Sequence, residues 1–528
     1  MSAFPGQLLA LLSPRAYPHP VRRVELIETH VSWVLLTGEF AYKIKRPVLY
    51  TFVDQRSLER RRFFCHEEVR LNRRFAPEMY LAVCPISVRA GAAEVDGPGP
   101  VIEYAVRMRE FPRTDELDQL LAAGRVEPAE LRAFGSELAR IHAQLPAAQP
   151  DDGWARPEAL STLILSNAAE CSQAGKTLGT RHDLRALQAA LGSLAESTLS
   201  LRVQRRADGR VRECHGDLHT RNIARYGARL LAFDALEFDP ALRWIDVADE
   251  ISFLLVDLET RQCPVHAQAF LAGYLTESGD YQTCALLPLF KAHHALVRAK
   301  IAALGTRTAA ANADRGSAPH EYEAYVESAR HTLAAKRPVL VLMCGLSGSG
   351  KTWLAQRLAP ALSAVHLRSD IERKRLAGLS PTDRSKSAAG EGLYAPDASR
   401  TVYRRLAECA ADTLTGGYTT IVDATFGRAA ERAAFRDLAQ QRGVELCVVY
   451  CVAAREVLEA RIVAREGRGD DASEADLPVL AWQGERFEPP GPHEASTVLE
   501  WQTPEEGAVE ALARRITSLG AGSKPSYQ

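Results

Sequence analysis

The 528-residue chain has 10 cysteines but no C-x-x-C pair and no Cys/His grouping at metal-binding spacing. That argues against a zinc module or a disulfide framework and predicts reduced, buried thiols. The closest pair, Cys447 and Cys451, lies on an apolar stretch. Long hydrophobic runs are also missing, and nothing approaches the roughly 20 apolar residues that span a bilayer. The opening "MSAFPGQLLALLSPRAYPHP" has a short apolar run, no basic residues ahead of it and prolines soon after, unlike a secretion signal. A cytoplasmic chain with no membrane partner is expected. Charge of one sign is lacking too: 65 Lys+Arg against 66 Asp+Glu leave a net charge of -1. No overall electrostatic footprint for nucleic acid exists, so none is expected as a partner.

What is present is an ordinary globular composition, 46% hydrophobic and 25% charged, in a chain too long for one core. The best boundary is "GTRTAAANADRGSAP" (305–319), small and polar, followed by "HEYEAYVESARHTLAAK", which reads as a solvent-facing helix. Ahead of it, "HVSWVLLTGEFAYKIKRP" and "VIEYAVRMREF" read as strands with a helix, "LERRRFFCHEEVRLNRRF", between them. From about 116 to 304 the patterns are mostly helical. After Pro338 strands alternate with helices, which predicts a parallel sheet covered on both faces. Two domains follow: 1–330, with a small lobe at about 20–110, a large lobe at about 111–304 and a linker at about 305–335, and then 336–528.

The first domain carries "HGDLHTRN" (215–222). Asp217 and Asn222 are five apart, the spacing at which kinases place the carboxylate that takes the acceptor's proton and an oxygen ligand for magnesium. Twelve residues on, "LLAFDALEFD" puts Asp234 after an apolar strand, suited to a second magnesium ligand. In "FAYKIKRP", Lys43 and Lys45 share a strand face. Lys43 is the better phosphate-pairing candidate because Ala41-Tyr42-Lys43 fits A-x-K; Glu67 or Glu68 would pair with it, with Glu68 preferred. These residues, with "ELARIHAQLP" (137–146) and "WIDVADEISFLL" (244–255), resemble the aminoglycoside phosphotransferase family over about residues 20–300. The resemblance implies the α+β protein-kinase-like fold and adenine binding by the backbone around Met108–Phe111. The sequence departs from protein kinases: it has no G-x-G-x-x-G, only Gly38 in the nucleotide loop, and no A-P-E segment.

The second domain carries "VLVLMCGLSGSGKTWLAQRLA", a strand, a glycine loop and a helix. Gly345, Ser347, Gly348, Ser349 and Gly350 form a loop whose backbone N–H groups can close around phosphates at a helix N-terminus. Lys351 would reach the β- and γ-phosphates, and Thr352 would offer its hydroxyl to magnesium. "TTIVDATF" ends a second strand near Asp423, which suits magnesium held through water. In "HLRSDIERKRLAGL", Asp370 and Arg373 share a helix face, as a base and a substrate-holding arginine would; Ser369-x-x-Glu372 also reads as a capping box. "EARIVAREGRGDDASEAD" spaces Arg461, Arg465 and Arg468 on one face before a glycine-rich acidic loop, the pattern of a lid over transferring phosphate. From 338 to about 515 the chain resembles the P-loop kinases grouped with gluconate kinase and polynucleotide kinase.

The whole order is similar to a bacterial family of bifunctional aminoglycoside phosphotransferase/ATP-binding proteins. That resemblance implies two ATP- and Mg2+-dependent sites acting on small hydroxylated molecules. The alternative is a regulatory N-terminal domain beside a P-loop domain that alone turns over.

Overall fold

The computed structural model describes residues 4–50, 53–180, 183–308, 317–381, 383, 385, 391–468, 472–502 and 507–521. Two compact units emerge: Met1–Cys263 with His293–Ser328, and Pro264–Ala292 with Ala329–Gln528. Among the described residues no helix is long and apolar enough to cross a membrane.

The first unit opens with a six-stranded antiparallel sheet. Its order is Glu25–Glu28, Ser32–Leu36, Phe40–Lys45, Val101–Arg109, Tyr80–Arg89, Ala92–Val95. Period-two alternation decides which side chains meet. Trp33, Leu35, Tyr42 and Ile44 fill the core on one face. Ala41, Val106 and Met108 meet Cys65 and Val69 of the helix Leu58–Asn72 on the other. Lys43 and Lys45 share that second face with Ala41, so the pleat sends both ammonium groups toward the helix. Ser57 starts this helix by accepting a hydrogen bond from the Arg60 N–H at 3.2 Å. Most of the following elements are helical, and a hairpin of Ile223–Tyr226 and Arg229–Ala232 delivers Asp234.

The second unit holds a five-stranded parallel sheet ordered Val365–Arg368, Thr420–Asp423, Val339–Cys344, Glu445–Cys451, Thr497–Trp501. All six residues of Val339–Cys344 are buried, because a parallel strand between helix layers has no wet face. Residues 264–292, within the large lobe on the sequence reading, group with this unit. Arg375 donates to Thr276 O (2.6 Å) and Glu277 O (2.9 Å), and Arg405 donates to Gly279 O (2.7 Å). Gly279 has a φ of +64°, and a Cβ there would sit 2.6 Å from Arg375 Nε.

Two local expectations change. The helix Ser317–Leu333 is not solvent-facing all round: Tyr322, Tyr325, Val326 and Ala329 are buried. Their spacing of three, one and three is one helical stripe, hidden in the sequence by the charges between. The helix Ser369–Leu376 has Arg368 as its N-cap and no side-chain cap, so the predicted capping box does not form. Glu372 is instead fully buried and ion-paired with Arg375 (3.2 Å) and Arg405 (3.4 Å). Residues 309–316 of the predicted linker and 469–471 of the predicted lid loop lie outside the described residues. All 10 cysteines are free thiols, nine of them buried, including Cys447 and Cys451.

Candidate functional site

In the first unit, side chains from three segments converge. Lys43 forms an ion pair with Asp234 and a second with Glu68 Oε1 at 2.9 Å. Burial works against its charge, but Asp234 and Glu68 outweigh it and hold the ammonium well above its ordinary pKa. Lys45 lies one pleat repeat away, fully buried between Glu68 and Glu237. Glu68 thus faces both lysines, whereas Glu67 hydrogen-bonds Arg70 (2.9 and 2.7 Å). Glu237, three residues past Asp234 in "DALEFD", was not anticipated; its only sequence signal is that proximity.

Asn222 Nδ2 donates to both Asp217 O and Asp217 Oδ2 at 3.0 Å. The five-residue spacing thereby closes one turn of loop on itself. His219 Nδ1 accepts from the Arg221 N–H (3.2 Å), which leaves the proton on Nε2, 3.6 Å from Asp217 Oδ2. Burial pushes Asp217 up, but His219 and His215 prevail and hold it below the ordinary carboxylate range. Asp234, likewise lowered against burial by Lys43, adopts a φ of +64°, and its N–H donates to the Tyr80 hydroxyl (3.0 Å). A non-glycine residue in the left-handed region is held there by its surroundings.

The loop is anchored from one helix, Val247–Thr260. Glu250 accepts from the N–H groups of His215 (2.8 Å) and Gly216 (3.0 Å). Burial, against those two amides, pushes its carboxyl up to about 8. One turn pair later, Asp257 accepts from Thr220 N (3.0 Å) and from its hydroxyl (2.5 Å). His215 accepts from the Asp217 N–H at Nδ1 (3.3 Å) and so donates from Nε2 to Phe233 O (2.9 Å), tying the loop to the strand before Asp234. The sequence reading named neither Glu250 nor Asp257, although "WIDVADEISFLL" contains the first. On the strand expected to meet adenine, the N–H groups of Arg109 and Glu110 are already donated, to Met79 O (2.8 Å) and Glu39 O (3.0 Å). Neither is open to a base.

In the second unit the loop after Val339–Cys344 places Gly345, Gly348 and Gly350 at φ of +140°, +81° and +93°, conformations that L side chains resist. A Cβ at Gly348 would also meet Leu458 O at 2.7 Å. Lys351 Nζ is folded onto the loop, donating to Gly345 O (2.8 Å) and Leu346 O (2.9 Å). Ser347 N–H donates to Gln483 Oε1 (3.0 Å), and the buried Ser349 hydroxyl has no hydrogen-bond partner among the described residues. Thr352 Oγ1 donates to Asp423 Oδ2 at 2.6 Å, and His366 Nε2 lies 3.3 Å from the same oxygen. Burial raises Asp423, but His366, Arg368 and Lys351 overcome it and leave the carboxyl at about 2.

The loop opens into a cavity of about 1140 Å³ that also meets Asp370, Arg373, Arg461 and Arg465. Arg461 donates to Gly348 O (3.2 Å), and Arg465 donates to Ala475 O. Arg373 donates to Leu393 O (2.7 Å) and stacks over Tyr394 at 5.1 Å. The helix Arg455–Arg468 reaches Arg468, but that side chain is outside the described residues.

Fold and geometry define a two-domain protein, a kinase-like phosphotransferase domain joined to a P-loop kinase-like domain with a parallel sheet. Residues 65–287 match the model of the phosphotransferase enzyme family, and residues 340–490 match that of an AAA domain. An uncharacterized protein of Mycobacterium tuberculosis is 29% identical over 493 residues, covering 90% of this chain and 95% of its own. Among solved structures, a putative kinase from Chloroflexus aurantiacus is 25% identical, covers 35% of this chain and 99% of its own, and has a TM-score of 0.28. A choline/ethanolamine kinase family protein from Mesorhizobium loti is 11% identical over 60% of this chain and 89% of its own, with a TM-score of 0.35.

Proposed function

We propose that the chain is an ATP- and Mg2+-dependent phosphotransferase with two nucleotide sites, each transferring phosphate to a hydroxyl of a small molecule. The observation that carries this reading is the convergence in the first unit of Lys43, Glu68 and Asp234, the last 191 positions from Lys43, beside a catalytic loop that closes Asn222 onto Asp217. A fold relic under no chemical demand has no reason to keep a half-buried lysine between two carboxylates, one of them fully buried, since withdrawing charges from water is costly.

In this reading Asp217, kept ionised by its histidine neighbours, orients the acceptor hydroxyl and takes its proton. Lys43 turns from Asp234 to the nucleotide phosphates while Glu68 keeps hold of it. Asn222 and Asp234 offer only oxygen ligands, the donor set that suits magnesium. Thr352 with Asp423 offers the same set in the second unit. When bound, the ion neutralises charge between the phosphates. Around the P-loop the amides and Lys351 receive the phosphates, and the orphaned Ser349 hydroxyl points to a polar occupant that the loop is built to meet. Asp370 would be the base there, with Arg373, Arg461 and Arg465 on the anionic groups.

Titration calorimetry with Mg2+ and AMPPNP should give two nucleotides per full-length chain, and Lys351→Ala should reduce this to one. A stoichiometry of one in the unsubstituted chain would leave the first unit a regulatory or relic domain.

A further inference from the structure

The cavity beside the P-loop is larger than a nucleotide site needs. Its volume of about 1140 Å³ exceeds the roughly 300–1,000 Å³ typical of a pocket for one ligand. Among the described residues its lining is also lopsided in charge: seven arginines and Lys351 face two carboxylates, Asp370 and Glu431. Lys351, Arg461 and Arg465 belong to the phosphate loop and the helix over it. That leaves an excess of positive charge elsewhere.

The excess lies on the wall made by the helices Ser369–Leu376, Pro396–Thr415 and Ala429–Arg442. One face of the first three turns of the middle helix lines the cavity: Pro396, Ser399, Arg400, Tyr403, Arg404 and Ala407. This is a stripe at three- and four-residue spacing, with two guanidinium groups one turn apart. Arg373 approaches from the preceding helix, and Arg428 from the residue that begins the next one. Asp397 pairs with Arg400 at the outer edge. Tyr403 fixes the stripe by accepting from the Phe426 N–H at 3.0 Å. A concave wall with clustered like charges repels itself and concentrates anions. Guanidinium groups also match phosphate and carboxylate oxygens in pairs.

We infer that this wall is the subsite for an anionic group on the acceptor: the P-loop unit phosphorylates a hydroxyl of a compound that already bears a phosphate or carboxylate. The proposal rests on reading this unit as a phosphotransferase. Arg404 and Arg428 clamp the acceptor's charge, Arg373 bridges toward the transferred group, and Asp370 meets the hydroxyl. A neutral polyol would leave the clamp without its counter-charge.

The test uses the full-length chain saturated with Mg2+ and AMPPNP, so that both nucleotide sites are filled, and measures radiolabelled sulfate by equilibrium dialysis. Sulfate should bind at millimolar concentration. Arg404→Gln and Arg428→Gln should each weaken it about tenfold, the cost of one charge-assisted hydrogen bond, while AMPPNP affinity stays unchanged. Both positions are exposed, so folding is not at risk. A sugar phosphate or an aldonate should then displace the sulfate, the more effective one identifying the anion, whereas the neutral sugar should not. Absence of sulfate binding, equal binding by both variants, or displacement by the neutral sugar would overturn the proposal. Failure of AMPPNP to bind a Lys43→Ala chain, whose only intact nucleotide site is the P-loop, would instead overturn the reading on which it rests.

Discussion

Lys43 and Lys45 differ by one pleat repeat yet have different work. Lys45 is sealed between Glu68 and Glu237, so Lys45→Met leaves Glu237 buried without its ion-pair partner and Glu68 with Lys43 alone. It should cost about 3–5 kcal/mol, the usual penalty for breaking a buried ion pair, visible in denaturant unfolding. Lys43→Met keeps the Lys45 clamp and should act mainly on nucleotide affinity. Equal stability losses would make both lysines structural. Asp217 separates catalysis from binding. Asp217→Asn should leave nucleotide affinity near its original value and lower phosphate transfer by roughly 10²–10⁴-fold, the contribution of a general base. Asp234→Asn should also weaken magnesium-dependent nucleotide binding. Both need a Lys351→Ala background, because turnover at the P-loop would mask them. With the P-loop silenced, unchanged transfer in Asp217→Asn would mean that Asp217 is not the base. No transfer even before the Asp217 change would mean that the first unit does no chemistry.

At the scale of elements, the helix Val247–Thr260 is what makes the "HGDLHTRN" loop rigid. Its Glu250 and Asp257 take hydrogen bonds from three loop amides and one hydroxyl. Glu250→Ala leaves the N–H groups of His215 and Gly216 without their acceptor, at about 1–3 kcal/mol. Because Asp217 follows Gly216 directly, transfer should fall more than nucleotide affinity does. A variant that loses stability but keeps its rate would show that the loop holds its shape by other means. The P-loop shows a different economy: its backbone is set by its glycines, and Gln483, Arg461 and Thr425 brace it from outside at Ser347 N–H, Gly348 O and Gly345 N–H.

Across the whole molecule, the acid response should come from the first unit. Burial lowers His142 to about 3, His215 to about 4 and His293 to about 3. Above the ordinary value of 6.5 neither state is protonated, and these residues add no pH dependence. As the pH falls below 6.5 the unfolded chain takes up protons that the folded one refuses, so stability drops. Each histidine then costs about 2 kcal/mol at pH 5. Glu250, raised to about 8, works the other way over this range and offsets about one histidine's share. Guanidinium unfolding of the full chain at pH 7 and 5 should still show a net loss, and His142→Gln should shrink the difference by about one histidine's share. An undiminished difference would place the acid sensitivity elsewhere.

The motifs were legible from sequence because their chemistry is local. "HGDLHTRN" closes Asn222 onto Asp217 within five residues, and "GLSGSGKT" demands positive φ at its glycines wherever it occurs. Strand alternation likewise placed Lys43 and Lys45 on one face, and an unbroken apolar run marked the buried parallel strand. Long-range pairing was not legible. Nothing in the sequence tells that Glu237 reaches back 192 positions to Lys45, or that Glu250 braces the loop from a helix 35 residues later. Nor does it tell that Arg375 and Arg405 bind residues 276–279 into the second unit. The arginine wall is of the same kind: Arg373, Arg404 and Arg428 sit on three elements, each reading as an ordinary charged surface. A carboxylate or guanidinium carries no directional mark in the sequence, and only the packing of the elements that bear them decides whether it meets water, a partner or a substrate.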